Sequence, residues 1–432
     1  QVAALVPDAW LFLSTWIAGG ALAFAGAMAY AELAALRPRA GGEYVYLREA
    51  FGEGAAFLTG WTSFVAGFSG AIATSAVVMV FYLGRFAPAL AGAGPWVVVP
   101  IVPGVIVLTL SPQTLTAVAL IAAMAWLHRR GLGPGRVVGN LLASLKVTAF
   151  ALFIAVGFAW GSGTLAHLSE RAPVGAGSWL LALIPVMFTY SGWNAAAYVA
   201  EEIREPGRNV PRALALGTAA VVLIYVLMNA LYLYVIPARE LAAVDRSVLD
   251  IIADRLLGSY AGNIMGVVSI ISLAASISAM TLAGPRVYYS MGRDGLFFRR
   301  TAIVHPRYRT PSSSIIAQAA WSSLLVLTAT ADALVTYTGF AIVLFSGMAV
   351  VALFVLRRRM PDAPRPFRAW GYPLAPAIYA LASLAILING LYRAPGATGA
   401  GVLIIAAGLP MYFLFKRKIP NPKSQTPNPN TV

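Results

Sequence analysis

The stretch LLALIPVMFTYSGWNAAAYVAEEIREPGRNVPRAL, Leu180–Leu214, decides how this chain is read. It opens as an apolar helical run in which Pro185 removes one backbone donor. Thr189-Tyr190-Ser191-Gly192-Trp193-Asn194 then places poor helix formers in mid-run, and a helix-favouring Ala195-Ala196-Ala197 follows. The pattern predicts two half-helices joined by an unwound piece near Tyr190–Trp193. In hydrocarbon a broken helix is tolerated only where it lines a cavity. Carbonyls freed at the end of the first half suit an ammonium, and amides freed at the start of the second suit a carboxylate. Thr189, Tyr190, Ser191, Gly192, Trp193 and Asn194 are therefore the candidate ligand-binding residues, with Trp193 and Asn194 shaping or closing the pocket. A proline kink packed by glycine fits the same letters, so both readings stay open at this point.

Outward from that stretch the chain continues in the same apolar style. Of 432 residues, 59% are hydrophobic and 11% charged; a soluble domain carries about a quarter charged residues. A soluble enzyme, a disordered chain and a fibre are excluded. A spanning helix needs about 20 mostly apolar residues. Cutting at charged positions leaves eleven spans, near 9–31, 54–84, 113–127, 137–160, 179–201, 213–238, 258–285, 312–331, 333–356, 372–392 and 396–415. They form one all-α transmembrane domain over residues 1–418, followed by a Pro/Asn-rich tail at 419–432 expected to be disordered and cytoplasmic. The run Phe86–Leu127 could hold two spans, but Pro88, Pro95, Pro100, Pro103 and Pro112 mark its first part as an outer loop, partly re-entrant or not.

The net charge of +15 tests this topology. With the loop after the first span on the inside, 24 of the 31 Lys and Arg fall inside, six outside and Lys146 within a span. That bias follows the positive-inside rule and accounts for the charge without a nucleic-acid partner. Eleven spans put the N-terminus outside, whereas a polytopic chain usually begins in the cytoplasm, so a further span upstream of Gln1 is expected. Cysteine is absent, and His128, His167 and His305 fall in connecting segments. No catalytic residue, metal site or bound cofactor is expected.

Lys146 stands out. It lies ten residues beyond Arg136, about 15 Å deeper along a helix, where a charge is costly and usually functional. The chain has 27 arginines and four lysines, the other three being Lys416, Lys418 and Lys423. Arginine does not release its proton, whereas a buried lysine can. Lys146 is thus a candidate titrating amine, able to replace a bound cation or carry a proton. Ser269, Ser272 and Ser276 share one helical face, with Ser278 and Thr281 nearby; they line a polar path or serve as interhelical contacts. Glu32 ends the first span as a gate or loop anchor. Residues 38–48 (PRAGGEYVYLR) read as a glycine turn and an amphipathic stretch along the cytoplasmic surface.

Four of these segments resemble, in order and spacing, the amino acid–polyamine–organocation (APC) superfamily of transporters. Tyr30-Ala31-Glu32-Leu33 through Pro38-Arg39-Ala40-Gly41-Gly42-Glu43-Tyr44-Val45-Tyr46 is similar to the loop after the family's second helix. Phe188-Thr189-Tyr190-Ser191-Gly192-Trp193 is similar to its unwound sixth helix, Arg286 through Met291-Gly292-Arg293-Asp294-Gly295 to the loop after the eighth, and Arg365 through Pro373 to the entry of the eleventh. The resemblance implies a LeuT-type inverted-repeat bundle with 11 of 12 spans present and the first helix lacking. It implies that Lys146 is the fifth-helix lysine some members use where sodium-coupled relatives bind an ion. Its partners would then be eighth-helix hydroxyls, Ser276 first and Ser272 beside it.

The expected function is a permease for amino acids, a secondary transporter working by alternating access and coupled to protons. It would sit in the lipid bilayer of a bacterial inner (cytoplasmic) membrane. The alternatives are an amino acid or amine exchanger without proton coupling and a non-transporting membrane sensor. No soluble sensory domain, intramembrane acid or histidine cluster, or channel filter signature speaks for a sensor, an enzyme or a channel.

Overall fold

The computed structural model describes residues 1–102, 106–244, 248–328 and 331–416. The tail at 419–432, with Lys423, and Lys418 just before it lie outside the described residues. The main helices are α1 Ala9–Leu36, α2 Glu43–Phe51, α3 Glu53–Leu83, α4 Pro112–Arg129, α5 Leu132–Trp160, α6 Ala176–Tyr190, α7 Ala195–Tyr198, α8 Pro206–Val235, α9 Ser259–Arg293, α10 Ser312–Thr328, α11 Ala331–Arg359, α12 Leu374–Arg393, α13 Pro395–Ala406 and α14 Gly408–Lys416. Among the described residues, eight helices are long and apolar enough to cross a membrane, and α6 and α10 are shorter apolar ones. The fold is an all-α polytopic bundle.

Local chemistry sets the helix ends. Asp8 caps α1 by accepting the Leu11 amide at 2.9 Å. Ser111 and Thr114 form a reciprocal cap for α4, with Pro112 in its first turn. Within α3 the ladder widens to π geometry over Ser63–Gly67, a feature often found at functional positions. Two ring donors meet carbonyls there: Tyr288 Oη reaches Ser63 O at 3.1 Å, and Trp321 Nε1 reaches Val65 O at 2.9 Å.

One element departs from the all-helical expectation. The segment whose prolines predict an outer loop contains an antiparallel hairpin, β1 Val97–Val102 paired with β2 Ile106–Leu110. Its β-branched run VVVPIV favours strand, and Pro100 sits in a two-stranded edge that tolerates it, while Pro88 opens a 3-10 turn and Pro112 the first turn of α4.

The packing is ordered by an offset. Counting spans along the chain, the first (α1) packs on the sixth (α8), the second (α3) on the seventh (α9), and the third (α4) on the eighth (α10). An odd offset pairs each helix with one running the opposite way, as two inverted repeats require. The interrupted span α6–α7 packs on α1 and α12 inside this frame.

The two ends of the bundle carry different charge chemistry. One end, the basic face, collects Arg37, Arg48, Arg286, Arg293, Arg357 and Arg365, each paired with an acid. At the far end Arg85 bridges Asp250 at 2.5 Å, and Arg255 pairs with Glu240.

Candidate functional site

The interrupted span breaks where the residues predict. Helix α6 runs through Pro185, and the Thr189 hydroxyl donates to the Pro185 carbonyl at 2.8 Å. It ends at Tyr190. Ser191–Asn194 are non-helical, and Gly192 adopts φ +97. A Cβ added to Gly192 would meet nothing within 4 Å, so conformation and not packing requires glycine here. Among the described residues, the amides of Gly192, Trp193 and Asn194 donate to no acceptor. Thr189 and Gly192 are exposed, Trp193 is half-buried and Asn194 is buried. The second half is shorter than the alanines suggest. It has one α turn, Ala195–Tyr198, then a 3-10 turn, Ala200–Glu202, before Glu205 at φ 47 starts α8.

Aromatic clusters flank the break on both sides. Toward the far end, Tyr190 packs against Trp16 and Tyr225 at ring separations of 6.1 and 5.1 Å, and its hydroxyl donates to Trp16 O at 3.0 Å. Toward the basic face, Trp193 lies edge-on to Tyr30 at 4.9 Å and to Tyr379 at 6.1 Å. Gly26 in α1 makes room for it; a Cβ there would come within 2.9 Å of the indole. Asn194 is buried, and its side-chain amide donates to Glu43 and to the Tyr198 hydroxyl.

Below Trp193 the half-helix is bound to the segment that precedes α2. Asn194 Nδ2 donates to Glu43 Oε1 at 2.9 Å, and Tyr30 Oη donates to the same oxygen at 2.6 Å. Gly41 N reaches Tyr198 O at 3.1 Å, and Ala40 N reaches Glu201 Oε2 at 2.9 Å. Glu202 pairs with the buried Arg286 of α9 at 3.0 Å. Glu43 lies outside the spans. Burial pushes its carboxyl above the ordinary range, and hydrogen bonds from Tyr30, Tyr198 and Asn194 pull it back. Glu32 is fully buried; it accepts from Arg357 at 2.8 and 2.6 Å and from the Ala369 amide at 2.7 Å, with Arg365 3.2 Å away. The acid expected as a gate or anchor ties α1, α11 and the 360–373 segment together.

Lys146 packs on the helix that carries the hydroxyls matched to it but, among the described residues, forms no hydrogen bond with them. It lines a groove of about 330 Å³ with Leu145 and Ala149 of α5 and with Ile264, Val267, Val268 and Ile271 of α9. Among the described residues it makes no hydrogen bond or ion pair. Ser276 turns its hydroxyl back to its own helix, donating to Ser272 O at 3.1 Å. A serine in a helix readily satisfies itself this way. Ser278 instead meets His128 Nε2 at 2.8 Å. His128 is thereby a buried contact in the last turn of α4, not a loop residue.

The profile of the amino acid permease family matches residues 2–415. The chain belongs to that family. The permease is 29% identical to the mouse protein "Large neutral amino acids transporter small subunit 2" over 412 residues, 94% of this chain and 74% of the relative. It is 27% identical to the mouse "Asc-type amino acid transporter 1" over 413 residues, again 94% and 74%. It is 28% identical to the "Serine/threonine exchanger SteT" of Bacillus subtilis (strain 168) over 415 residues, 95% of this chain and 90% of the relative. The APC resemblance is therefore established at family level. The chain is an integral membrane amino acid transporter, not an enzyme.

Several residues central to the permease's geometry are not singled out by their letters. Trp16, Tyr30, Tyr225 and Tyr379 build the two aromatic clusters, but single aromatics in apolar spans look like ordinary core. Glu43 sits in a quoted loop motif, and its one local signal is a carboxylate directly after Gly41-Gly42, where the chain turns sharply (φ +113 and +50).

Proposed function

We propose that this permease moves neutral amino acids by alternating access around Ser191–Asn194, coupled to protons, in a bacterial inner (cytoplasmic) membrane. The observation that carries this reading is the set of amides at Gly192, Trp193 and Asn194 that, among the described residues, donate to no acceptor, at a break exposed at Gly192 and flanked by an aromatic cluster on each side. Unpaired amides suit the substrate carboxylate, and carbonyls ending α6 suit its ammonium. No ionisable side chain other than the Tyr190 phenol belongs to the break, which supports neutral substrates. The names of the relatives, covering large neutral amino acids and serine/threonine, point the same way. Thr189, Tyr190 and Ser191 would line the site, Trp193 and Asn194 would shape or close it, and protonation of Lys146 would bias the two states. The arginine-rich end, and with it the C-terminus, is read as cytoplasmic.

Exchange without proton coupling is the second reading. It is favoured by the Bacillus relative, whose name is that of an exchanger, and by the absence of a hydrogen-bond partner for Lys146 among the described residues. Uptake of radiolabelled L-serine, L-threonine, L-alanine and L-leucine into proteoliposomes separates the two. Symport predicts accumulation driven by an inward proton gradient into empty vesicles. Uptake that ignores the gradient but requires internal amino acid refutes symport.

A further inference from the structure

The acids of the basic face fall into two kinds, those that meet an arginine and one that does not; Glu32 and Glu43 are buried and Glu202 is exposed. Glu32 and Glu202 meet guanidinium groups, Glu32 accepting from Arg357 and Glu202 from Arg286. Glu43 is 8% exposed and, among the described residues, has no cation within ion-pair distance. Its partners are neutral: the Tyr30 phenol at 2.6 Å and the Asn194 amide at 2.9 Å, with the Tyr198 phenol 3.1 Å from that same amide nitrogen.

An arginine-paired carboxylate keeps its charge. A carboxyl caged by phenols and an amide can be accommodated in both protonation states, because a phenol oxygen donates or accepts. The titratable groups facing Glu43 are Tyr30 of α1, Tyr198 of α7, Tyr379 of α12 and Tyr46 of its own helix. Tyr46 has a buried hydroxyl without a partner, available to a new donor. The acids of the half-helix are occupied elsewhere, Glu201 by Ala40 and Arg293 and Glu202 by Arg286.

We propose that Glu43 is a second proton-binding group of this permease beside Lys146, with the protonation of its carboxyl linked to the position of the half-helix Ala195–Glu202. Ionised Glu43 holds Asn194, which opens that half-helix, by a charge-assisted bond, about twice as strong as a neutral one. A proton taken from water onto a carboxylate oxygen weakens that bond and loosens one of the ties between the half-helix and the 40–43 turn; the left-handed residues Gly192 and Glu205 flank the half-helix. Linkage is reciprocal, so movement of the half-helix changes the proton affinity of Glu43. The bond also joins the proton site to the substrate site directly, since Asn194 is contiguous with the unpaired amides.

This inference rests on the proton-coupled reading above. The test uses the whole protein in proteoliposomes with radiolabelled L-serine, or L-leucine if the uptake panel favours it, and a pH dye inside. A gradient of about one pH unit supports up to about tenfold accumulation by a one-proton symporter. Glu43→Gln is expected to retain counterflow against internal amino acid while its accumulation ratio falls to about one and substrate-driven acidification disappears. Lys146→Ala runs alongside. Gradient-driven accumulation by Glu43→Gln equal to wild type overturns the assignment to Glu43 and leaves the coupled reading standing. Wild-type protein that ignores the gradient overturns both. Should Glu43→Gln not fold, Glu43→Asp keeps the carboxyl and retracts it from Asn194. It is expected to accumulate substrate with a displaced pH profile, and an unchanged profile overturns the proposal.

Discussion

Gly192→Ala isolates the backbone requirement of the break. At φ +97, glycine occupies a region L-residues avoid, and an added methyl touches nothing within 4 Å. The cost is therefore conformational, about 1–2 kcal/mol for a non-glycine residue held left-handed. Alanine is also the best helix former, so the strain is relieved by continuing α6 across Ser191–Asn194. That competing form pairs the Gly192–Asn194 amides internally and removes them from the substrate. A shift of 1–2 kcal/mol is about 5–30-fold in an equilibrium constant, and apparent affinity falls by the lost competent fraction. The expected result is amino acid affinity weakened by up to about 30-fold, with thermal stability in detergent unchanged or raised. Gly192→Asn, which tolerates positive φ better, should recover part of the loss. Equilibrium binding of labelled L-serine or L-leucine reads the effect. Wild-type affinity and transport in Gly192→Ala would show that the open backbone is not what the ligand uses.

Gly26→Ala would bring a methyl within 2.8–2.9 Å of Tyr379 and Trp193; it should displace the indole and slow transport more than it weakens binding, as initial uptake rates against binding constants would show. Glu32→Ala leaves Arg357 and Arg365 facing a buried void, and should cost about 3–5 kcal/mol in thermal unfolding. Breaking the half-exposed Arg37–Glu49 pair by Arg37→Ala should cost under about 1 kcal/mol. For Glu43 the folded carboxyl lies above its unfolded value, so the folded state binds the extra proton. Its ionisation therefore lowers stability as pH rises from the unfolded value toward the folded one. The melting temperature of wild type should accordingly approach that of Glu43→Gln on acidification, and a gap that widens instead contradicts the sign.

The membrane class, the bundle and the place of the break were legible because they are written in local terms. Apolar runs of spanning length, arginines sorted between alternate loops, and Gly192 between helix formers each act over a few residues. What was not legible depends on pairs distant in the chain. The Glu43–Asn194 bond joins residues 151 positions apart, and Glu32–Arg357 joins residues 325 apart. A glutamate in a loop carries no mark of whether it will meet an arginine or two phenols. Among the described residues Lys146 and Ser276 share no hydrogen bond, for the converse reason. Spacing placed the serines on one helical face, but a helical serine can spend its hydroxyl on its own backbone, as Ser276 does.

The arrangement of these pairs indicates which part of the permease moves. The half-helix Ala195–Glu202 is bound to the 40–43 turn by Gly41, Ala40 and Glu43, and to α9 through Glu202–Arg286, whereas among the described residues no side-chain hydrogen bond or ion pair ties it to α6. Helix α6 is anchored separately, through Trp179 to Ser14 and Tyr190 to Trp16. A motion that opens the basic face must therefore break Glu43–Asn194 or carry the 40–43 turn with it. Because the chain has no cysteine, a single reporter at Ala196 distinguishes these. Thiol labelling of Ala196→Cys from the basic face should rise with substrate, and rise without it when Glu43→Gln is added. If labelling in the double variant still waits for substrate, the turn and the half-helix move together and the bond between them is not the one that yields.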